Sequence, residues 1–459
     1  MRAILIKSQI PNPQIPNKFR YLKFFWDLGF RQLSFKILHR LMFFRALFAC
    51  VCVALLPAFP TFATAAQTHW RIPPGYLDEA KDIPAFWLTT SDEIDDFINK
   101  TVKKGQVKQI GVSAGGRPIR AVFYGTPRAQ DGATTFSGAL SLAGKRALGP
   151  RWPAAHRGSD AGKKVFAGLG GVHGFELEGI MGIVNLIAVL ETGRDLNGAE
   201  WPEITRLARA VDRIVLVPLV NPDGRARVPI RMETNKGGAP DSHTVHEYLN
   251  TGGRKDGTLI GWPAVKEHIP MRFDDFGFPG GYPNDAGVNI MHDDFFGNPQ
   301  PETRALLALC GREKPDLILN MHTGVGKNDY FMQVHRPFAE PALQPVFDAL
   351  YRCVRGGLAR AGLTSSDDIE LESNPARISV SGYNLDTALN LHCGALCVVI
   401  ESPSHGYSGK NRAGQPAVHL PERLLKAQLT AHQQALVFLS ESGGRMSWEA
   451  AREQQPQPR

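Results

Sequence analysis

Three short segments set residues of metal-ligand and acid–base type at the ends of apolar runs. The stretch VFAGLGGV (165–172) runs into His173-Gly-Phe-Glu176, LILNM (317–321) into His322-Thr-Gly, and LCVVI (396–400) into Glu401-Ser-Pro. A strand followed by a glycine turn lets a His and a Glu three residues apart enter one cavity. Two imidazoles and one carboxylate make an open ligand set for one zinc ion, with the fourth position left for water. His173, Glu176 and His322 are the expected ligands. In an open parallel sheet the carboxyl ends of the strands face the ligand crevice, so all three segments would meet there. Glu401 follows five apolar residues, and a carboxylate buried in that position asks for a chemical reason.

The elements that must position these residues can be read around them. Thr90-Ser-Asp-Glu opens like a capped helix running to about Thr101. The runs Val107–Val112 and Pro118–Tyr124 flank Ser113-Ala-Gly-Gly116 and read as a hairpin. Strand-length apolar runs then alternate with helical patterns: Val165–Leu169, a helix at about Glu178–Glu191, Ile214–Val220, a helix at about Pro301–Cys310, Leu317–Met321, Leu396–Ile400 and a helix at about Pro421–Leu439. This alternation predicts an α/β fold, a mixed, mostly parallel twisted sheet flanked by helices on both faces. Residues 225–300, rich in Gly, Pro, Asp and Asn, read as long loops near the site, with His243 and His246 as surface histidines. The chain after Gly443 reads as a frayed polar tail. Gly111-Val-Ser-Ala-Gly115 matches the nucleophile-elbow pattern of serine hydrolases. That motif needs a strand, a sharp turn and a helix, whereas both flanks here are strand-like, so Ser113 is expected to be a turn residue.

Charge and composition narrow the partners. The chain has 459 residues, 43% hydrophobic and 21% charged, enough apolar content for a substantial core. Its formal charge of +8 is carried entirely before residue 46, where nine basic residues face one acid; the remainder is neutral. No nucleic-acid partner is therefore expected. From Met42 a short basic start, an apolar run from Ala46 to Phe59 and the small residues Ala63 and Ala65 have the three parts of a secretory signal peptide. The expected organisation is an upstream extension or a mis-assigned start at 1–41, a signal at 42–65, one catalytic domain at 66–440 and a tail at 441–459. It implies a secreted or periplasmic protein with no membrane insertion once the signal is removed. Cys310, Cys353, Cys393 and Cys397 would remain, as bridges or as buried thiols.

Six segments taken in order resemble the zinc carboxypeptidases of the carboxypeptidase A/B type. They are IGVSAGGRPI (110–119), GGVHGFELEG (170–179), Asn221-Pro-Asp-Gly224, Gln300-Pro-Glu-Thr303, LNMHTG (319–324) and VVIES (398–402). The resemblance implies His173, Glu176 and His322 as zinc ligands and Glu401 as general base. It also implies an oxyanion-stabilising arginine downstream of Asn221-Pro-Asp-Gly224, with Arg231 the first choice and Arg227 the second. Three positions depart from the family pattern. The Asn-Arg pair that grips a substrate's terminal carboxylate is matched by Met291 and His292, and an imidazole is a poorer clamp than a guanidinium. The catalytic tyrosine falls on Ile378, with Tyr383 nearby as a substitute. The specificity position falls on Leu385, against a preference for basic side chains. Arg227, His292, Tyr383 and Leu385 are thus candidate substrate contacts. The expected activity is hydrolysis of an amide or peptide bond. A deacylase or amidase acting on N-acyl amino acids or peptidoglycan stem peptides, and a catalytically silent binding protein, are the alternatives.

Overall fold

The computed structural model describes residues 70–131, 158–236, 241–324, 331–339, 343–365, 383–406 and 418–453, all within one unit spanning His69–Arg459. The proposed signal, Ile378 and the last residues of the tail lie outside them. The capping box forms as the sequence predicts. Thr90 accepts from the Glu93 amide while the Glu93 carboxylate accepts from Thr90, starting α1 (Ser91–Thr101). β1 (Gln106–Val112) and β2 (Pro118–Gly125) follow as an antiparallel hairpin closed by Ser113, whose amide donates to the Arg117 carbonyl. Ser113 is thus a turn residue.

β3 (Val165–Gly170) is buried throughout and leads into α2 (Leu177–Thr192), then α3 (Pro202–Ala208) and β4 (Arg213–Val217). β4 is shorter than the apolar run suggested, because Pro218 has no amide to donate to a ladder. Val220 and Asn221 instead donate to the Gly170 and Gly171 carbonyls, turning the chain into the short helix α4 (Pro222–Arg227). The 225–300 region is not simply loop. It holds α5 (Ser242–Thr251), the two-stranded pair β5 (Gly253–Arg254) and β6 (Phe276–Phe278), and several 3-10 turns. Next come α6 (Pro301–Glu313), β7 (Leu317–Thr323), β8 (Gln333–Val334), α7 (Gln344–Arg360), α8 (Leu385–Cys393), β9 (Leu396–Ser402), α9 (Pro421–Ser442) and α10 (Arg445–Glu453).

Among the described residues the main sheet has seven strands in the order β1-β2-β4-β3-β7-β9-β8. The four central strands β4, β3, β7 and β9 are parallel, and the edges are antiparallel. One face of the sheet packs on α2, α7 and α9 through a large core that includes Phe166, Leu186, Phe347 and Leu436. The other packs on α6 and α8 through Ile318, Leu306, Leu389 and Cys397. The fold is the α/β class expected, with helices on both faces.

The expected frayed tail is instead helical from Arg445. The Arg445 amide donates to Asp316 Oδ1 at 2.9 Å, its guanidinium donates to the Gly394 carbonyl, and Trp448 packs on Phe438. All four cysteines beyond the proposed signal are free thiols. No helix among the described residues is long and apolar enough to cross a membrane.

Candidate active site

Strand alternation decides which face each site residue meets. On β7, Leu317, Leu319 and Met321 enter the large core, while Ile318, Asn320 and His322 face the α6/α8 side. On β9, Leu396, Val398 and Ile400 enter the large core, so Glu401 shares the face of Cys397. β7 and β9 pair in parallel with His322 opposite Glu401. Both side chains therefore emerge side by side at the carboxyl edge of the sheet, on the α6/α8 face.

Glu176 arrives from the neighbouring strand. After β3 the chain turns at His173-Gly174 and enters α2 with Glu176 at its start. Two glycines make this geometry possible. A Cβ on Gly174 would lie 2.1 Å from the Arg225 amide nitrogen, so the His173 turn presses against the Asn221–Gly224 turn. A Cβ on Gly179 would lie 2.6 Å from the Met321 carbonyl oxygen, so α2 lies almost in backbone contact with β7.

The remaining family-like segments brace this arrangement. Buried Asp223 accepts from Ser113 Oγ at 2.5 Å, from the Gly115 amide at 2.8 Å, from Arg117 at 2.7 Å and from the Asp285 amide at 3.1 Å. Glu302 accepts from the Ala114 amide and from Asn284. The SAGG hairpin, the Asn221 turn and the start of α6 are in this way tied into one block behind the site.

At the centre, His173 Nδ1 lies 2.6 Å from Glu176 Oε1 and His322 Nδ1 lies 2.7 Å from Glu176 Oε2. One ligand atom from each of the three lies within 4.8 Å of the others, and all three residues are buried. Burial alone would raise the Glu176 carboxyl, but the two imidazoles hold it far below the usual carboxylate range. The same pairing outweighs desolvation at His322 and pushes it up to about 9. The carboxylate is thus ionised between the two rings. His173 Nε2 is held by Asn289 Oδ1 at 3.1 Å, and Tyr282 stacks on its ring at a centroid distance of 3.7 Å. His322 Nε2 is buried with no partner among the described residues. A compact, buried set of two imidazoles and one ionised carboxylate fits zinc, and an outer hydrogen bond that fixes the tautomer of a ligating His is usual at such sites.

The other sequence candidates divide into two groups. His292 feels the centre through its charge: burial, then the charges of Lys266, His173 and His322, push it down to about 4, so it is neutral near pH 7. Tyr383 and Leu385 gather with Met291 and Phe295 on the α6/α8 face, where burial pushes the Tyr383 phenol up to about 12. The two arginines are not brought to the cluster by any partner they hold. Arg227 donates to the Gly280 and Pro283 carbonyls, pairs with Asp285 and stacks over Phe273. Arg231 pairs with Glu93 at the start of α1. Sequence reasoning missed Tyr282, Asn289 and Lys266, all in the stretch read as loop. It also placed His246 at the surface, whereas the structure buries it against Glu233.

A buried His₂Glu centre beside a second carboxylate, at the carboxyl edge of a mostly parallel sheet, defines an α/β protein of the metal-dependent hydrolase type. Residues 94–327, just over half of the chain, match the zinc carboxypeptidase family, and the chain belongs to that family. The match contains all three candidate ligands and ends before Glu401. No curated protein matches the chain by sequence. Among solved structures it is similar to a metallo-carboxypeptidase from Burkholderia cenocepacia, at 15% identity over 76% of this chain and 70% of that one, with a TM-score of 0.47. A metallo-carboxypeptidase from Pseudomonas aeruginosa in complex with (2-guanidinoethylmercapto)succinic acid is similar at 14% identity over 76% and 69%, with a TM-score of 0.46.

Proposed function

We propose that this chain is a secreted zinc-dependent hydrolase that cleaves an amide bond, with Glu401 as its general base. The observation that carries the reading is the pinning of Glu176 between two imidazole nitrogens with Glu401 in register beside His322. His173, Glu176 and His322 would hold a zinc ion, which when bound would supply Lewis-acid polarisation of the scissile carbonyl and a lowered pKa for a water. Glu401 takes the proton of the attacking water and delivers it to the leaving nitrogen. His292, uncharged near pH 7, would add no charge to the site. Lys266, whose charge His292 feels, is the candidate cation for an anionic substrate group. Leu385, Met291 and Phe295 are packed inside the α6/α8 core, which takes the expected specificity residue Leu385 out of reach of a substrate, while Tyr383 stays partly exposed.

A second reading, deacylation of N-acyl amino acids or of peptidoglycan stem peptides, is favoured by one observation. The positions of the family's Asn-Arg clamp are Met291, which packs in the apolar cluster, and an uncharged His292. Secretion rests on the basic start, apolar run and small residues of 42–65.

The test is zinc content of the purified protein, then chelator-sensitive hydrolysis of peptides with free and amidated carboxyl termini and of N-acyl amino acids. Hydrolysis that needs zinc supports the reading, and the preferred substrate chooses between its two forms. A protein that binds no zinc and cleaves nothing would leave only a binding role. Amino-terminal sequencing of the exported protein tests cleavage near Ala65.

A further inference from the structure

Helix α5 lies in the stretch whose composition suggested loop, yet four of its polar side chains are more than nine-tenths buried, among them His246 and Asn250. These two are four residues apart and so share one face of the helix. Val245 and Leu249 anchor α5 in the large core. Burying an imidazole and an amide beside them is costly unless their hydrogen bonds serve a purpose.

Those hydrogen bonds lead to the carboxylate of Glu176 and to the chain just past Glu401. Asn250 Nδ2 donates to Glu176 Oε1 at 3.2 Å, and the Thr323 amide donates to Oε2 at 3.2 Å. Each oxygen of Glu176 thus meets one imidazole and one N–H group, which fixes the plane of the carboxylate. The Asn250 carbonyl also accepts from the Tyr282 amide at 2.9 Å, and Tyr282 is the ring stacked on His173. One turn earlier, His246 Nδ1 meets Glu233 Oε2 at 2.9 Å, and Ser404 Oγ donates to the same oxygen at 2.6 Å. Ser404 Oγ in turn accepts from the Gly406 amide, and the His405 amide donates to Glu178 on α2. Ser404 lies three residues beyond Glu401, so this lattice fixes the chain as it leaves β9.

We propose that α5 is a two-point splint for the active site. Asn250 positions the metal ligand Glu176, and His246, through Glu233 and Ser404, positions the segment that carries Glu401. Both are positioning residues, since neither is placed on the substrate. The inference rests on the zinc-hydrolase reading for its meaning, so its test does not depend on turnover alone.

The experiment uses the full purified chain. Zinc affinity is measured by competition with a chromogenic chelator, and hydrogen exchange is followed at the amides of His405 and Gly406. Asn250→Leu is expected to weaken zinc binding about 10- to 100-fold, the usual cost of losing an outer-shell partner. His246→Leu and Ser404→Ala are expected to speed exchange at the two amides about tenfold or more, on the scale of one lost buried hydrogen bond, with zinc affinity nearly unchanged. On any substrate the wild type cleaves, they should lower kcat with little change in KM, and His246→Gln, which can still donate to Glu233, should restore most of the loss. Ser404→Ala removes only a hydroxyl and remains readable if His246→Leu fails to fold. Wild-type zinc affinity in Asn250→Leu, or wild-type exchange in Ser404→Ala, would overturn the splint. So would equal impairment of the Leu and Gln variants at 246. A wild type that binds zinc but cleaves nothing would count against the hydrolase reading and leave these two measurements standing.

Discussion

His322 and Glu401 face each other across the parallel β7–β9 pair, and neither is brought there by a flexible loop. Two apolar strands locked in register therefore set the distance between a metal ligand and the proposed base. Replacing the carboxylate by an amide of the same shape should leave that frame intact. Glu401→Gln is expected to retain zinc at wild-type stoichiometry and to lose about 10²- to 10⁴-fold in kcat, the range for a general base. Metal analysis and steady-state kinetics on one preparation check both halves. Turnover like the wild type would remove Glu401 from the mechanism.

The approach of α2 to β7 offers an independent handle on the metal site. With the Gly179 Cα so near the Met321 carbonyl, any side chain must push the helix bearing Glu176 away from the strand bearing His322. Gly179→Val is expected to cost about 1–3 kcal/mol, as overpacking does, and to weaken zinc binding. A chelator titration and a denaturant melt read the two effects. Unchanged zinc affinity in a folded variant would mean that the contact does not set the ligand spacing.

Lys266 stands on a 3-10 turn whose Val265 packs in a small apolar cluster with Tyr282, the ring lying flat on His173. Its ammonium lies 4.8 Å from the centre of the exposed Trp262 ring. If this lysine receives a carboxylate of the substrate, Lys266→Met should raise KM about tenfold or more for substrates with a free carboxylate, the loss expected from a charged hydrogen bond. Amidated analogues should be unaffected. Paired kinetics on an N-acyl amino acid and its amide make the comparison, and equal effects on both would reject carboxylate recognition by Lys266.

The strands and the chemical residues at their ends were legible because buried parallel strands read as continuous apolar runs, and His173, His322 and Glu401 interrupt those runs. The capping box of α1 was legible for the same local reason. What escaped was everything specified by long-range hydrogen bonding. α5 reads as polar because two of its buried positions, His246 and Asn250, are filled for their hydrogen bonds rather than for apolar packing. α10 reads as a tail because its anchor is an arginine buried against Asp316 and Gly394. Arg227 and Arg231 were attractive by type and position, but their guanidinium groups hold Asp285 and Glu93. Tyr282 carries no local signal at all; only its stacking on His173 marks it.

One buried histidine outside the site links the core to pH. His432 on α9 is fully buried near Phe166, and neither ring nitrogen has a partner among the described residues. Burial pushes it down from 6.5 to about 3. Between these values the unfolded chain binds a proton at this position and the folded chain does not, so acid favours unfolding. Above pH 6.5 both states are neutral and the group contributes no slope; below it, stability falls by about 1.4 kcal/mol per pH unit from this residue alone. His432→Leu fills similar space and cannot take up the proton. Its stability relative to the wild type should be flat above pH 6.5 and should then improve steadily as the pH drops. Denaturant unfolding of both proteins at pH 7.5, 6 and 5 measures the gap. Parallel curves through that range would mean that the folded core lets His432 charge as freely as water does.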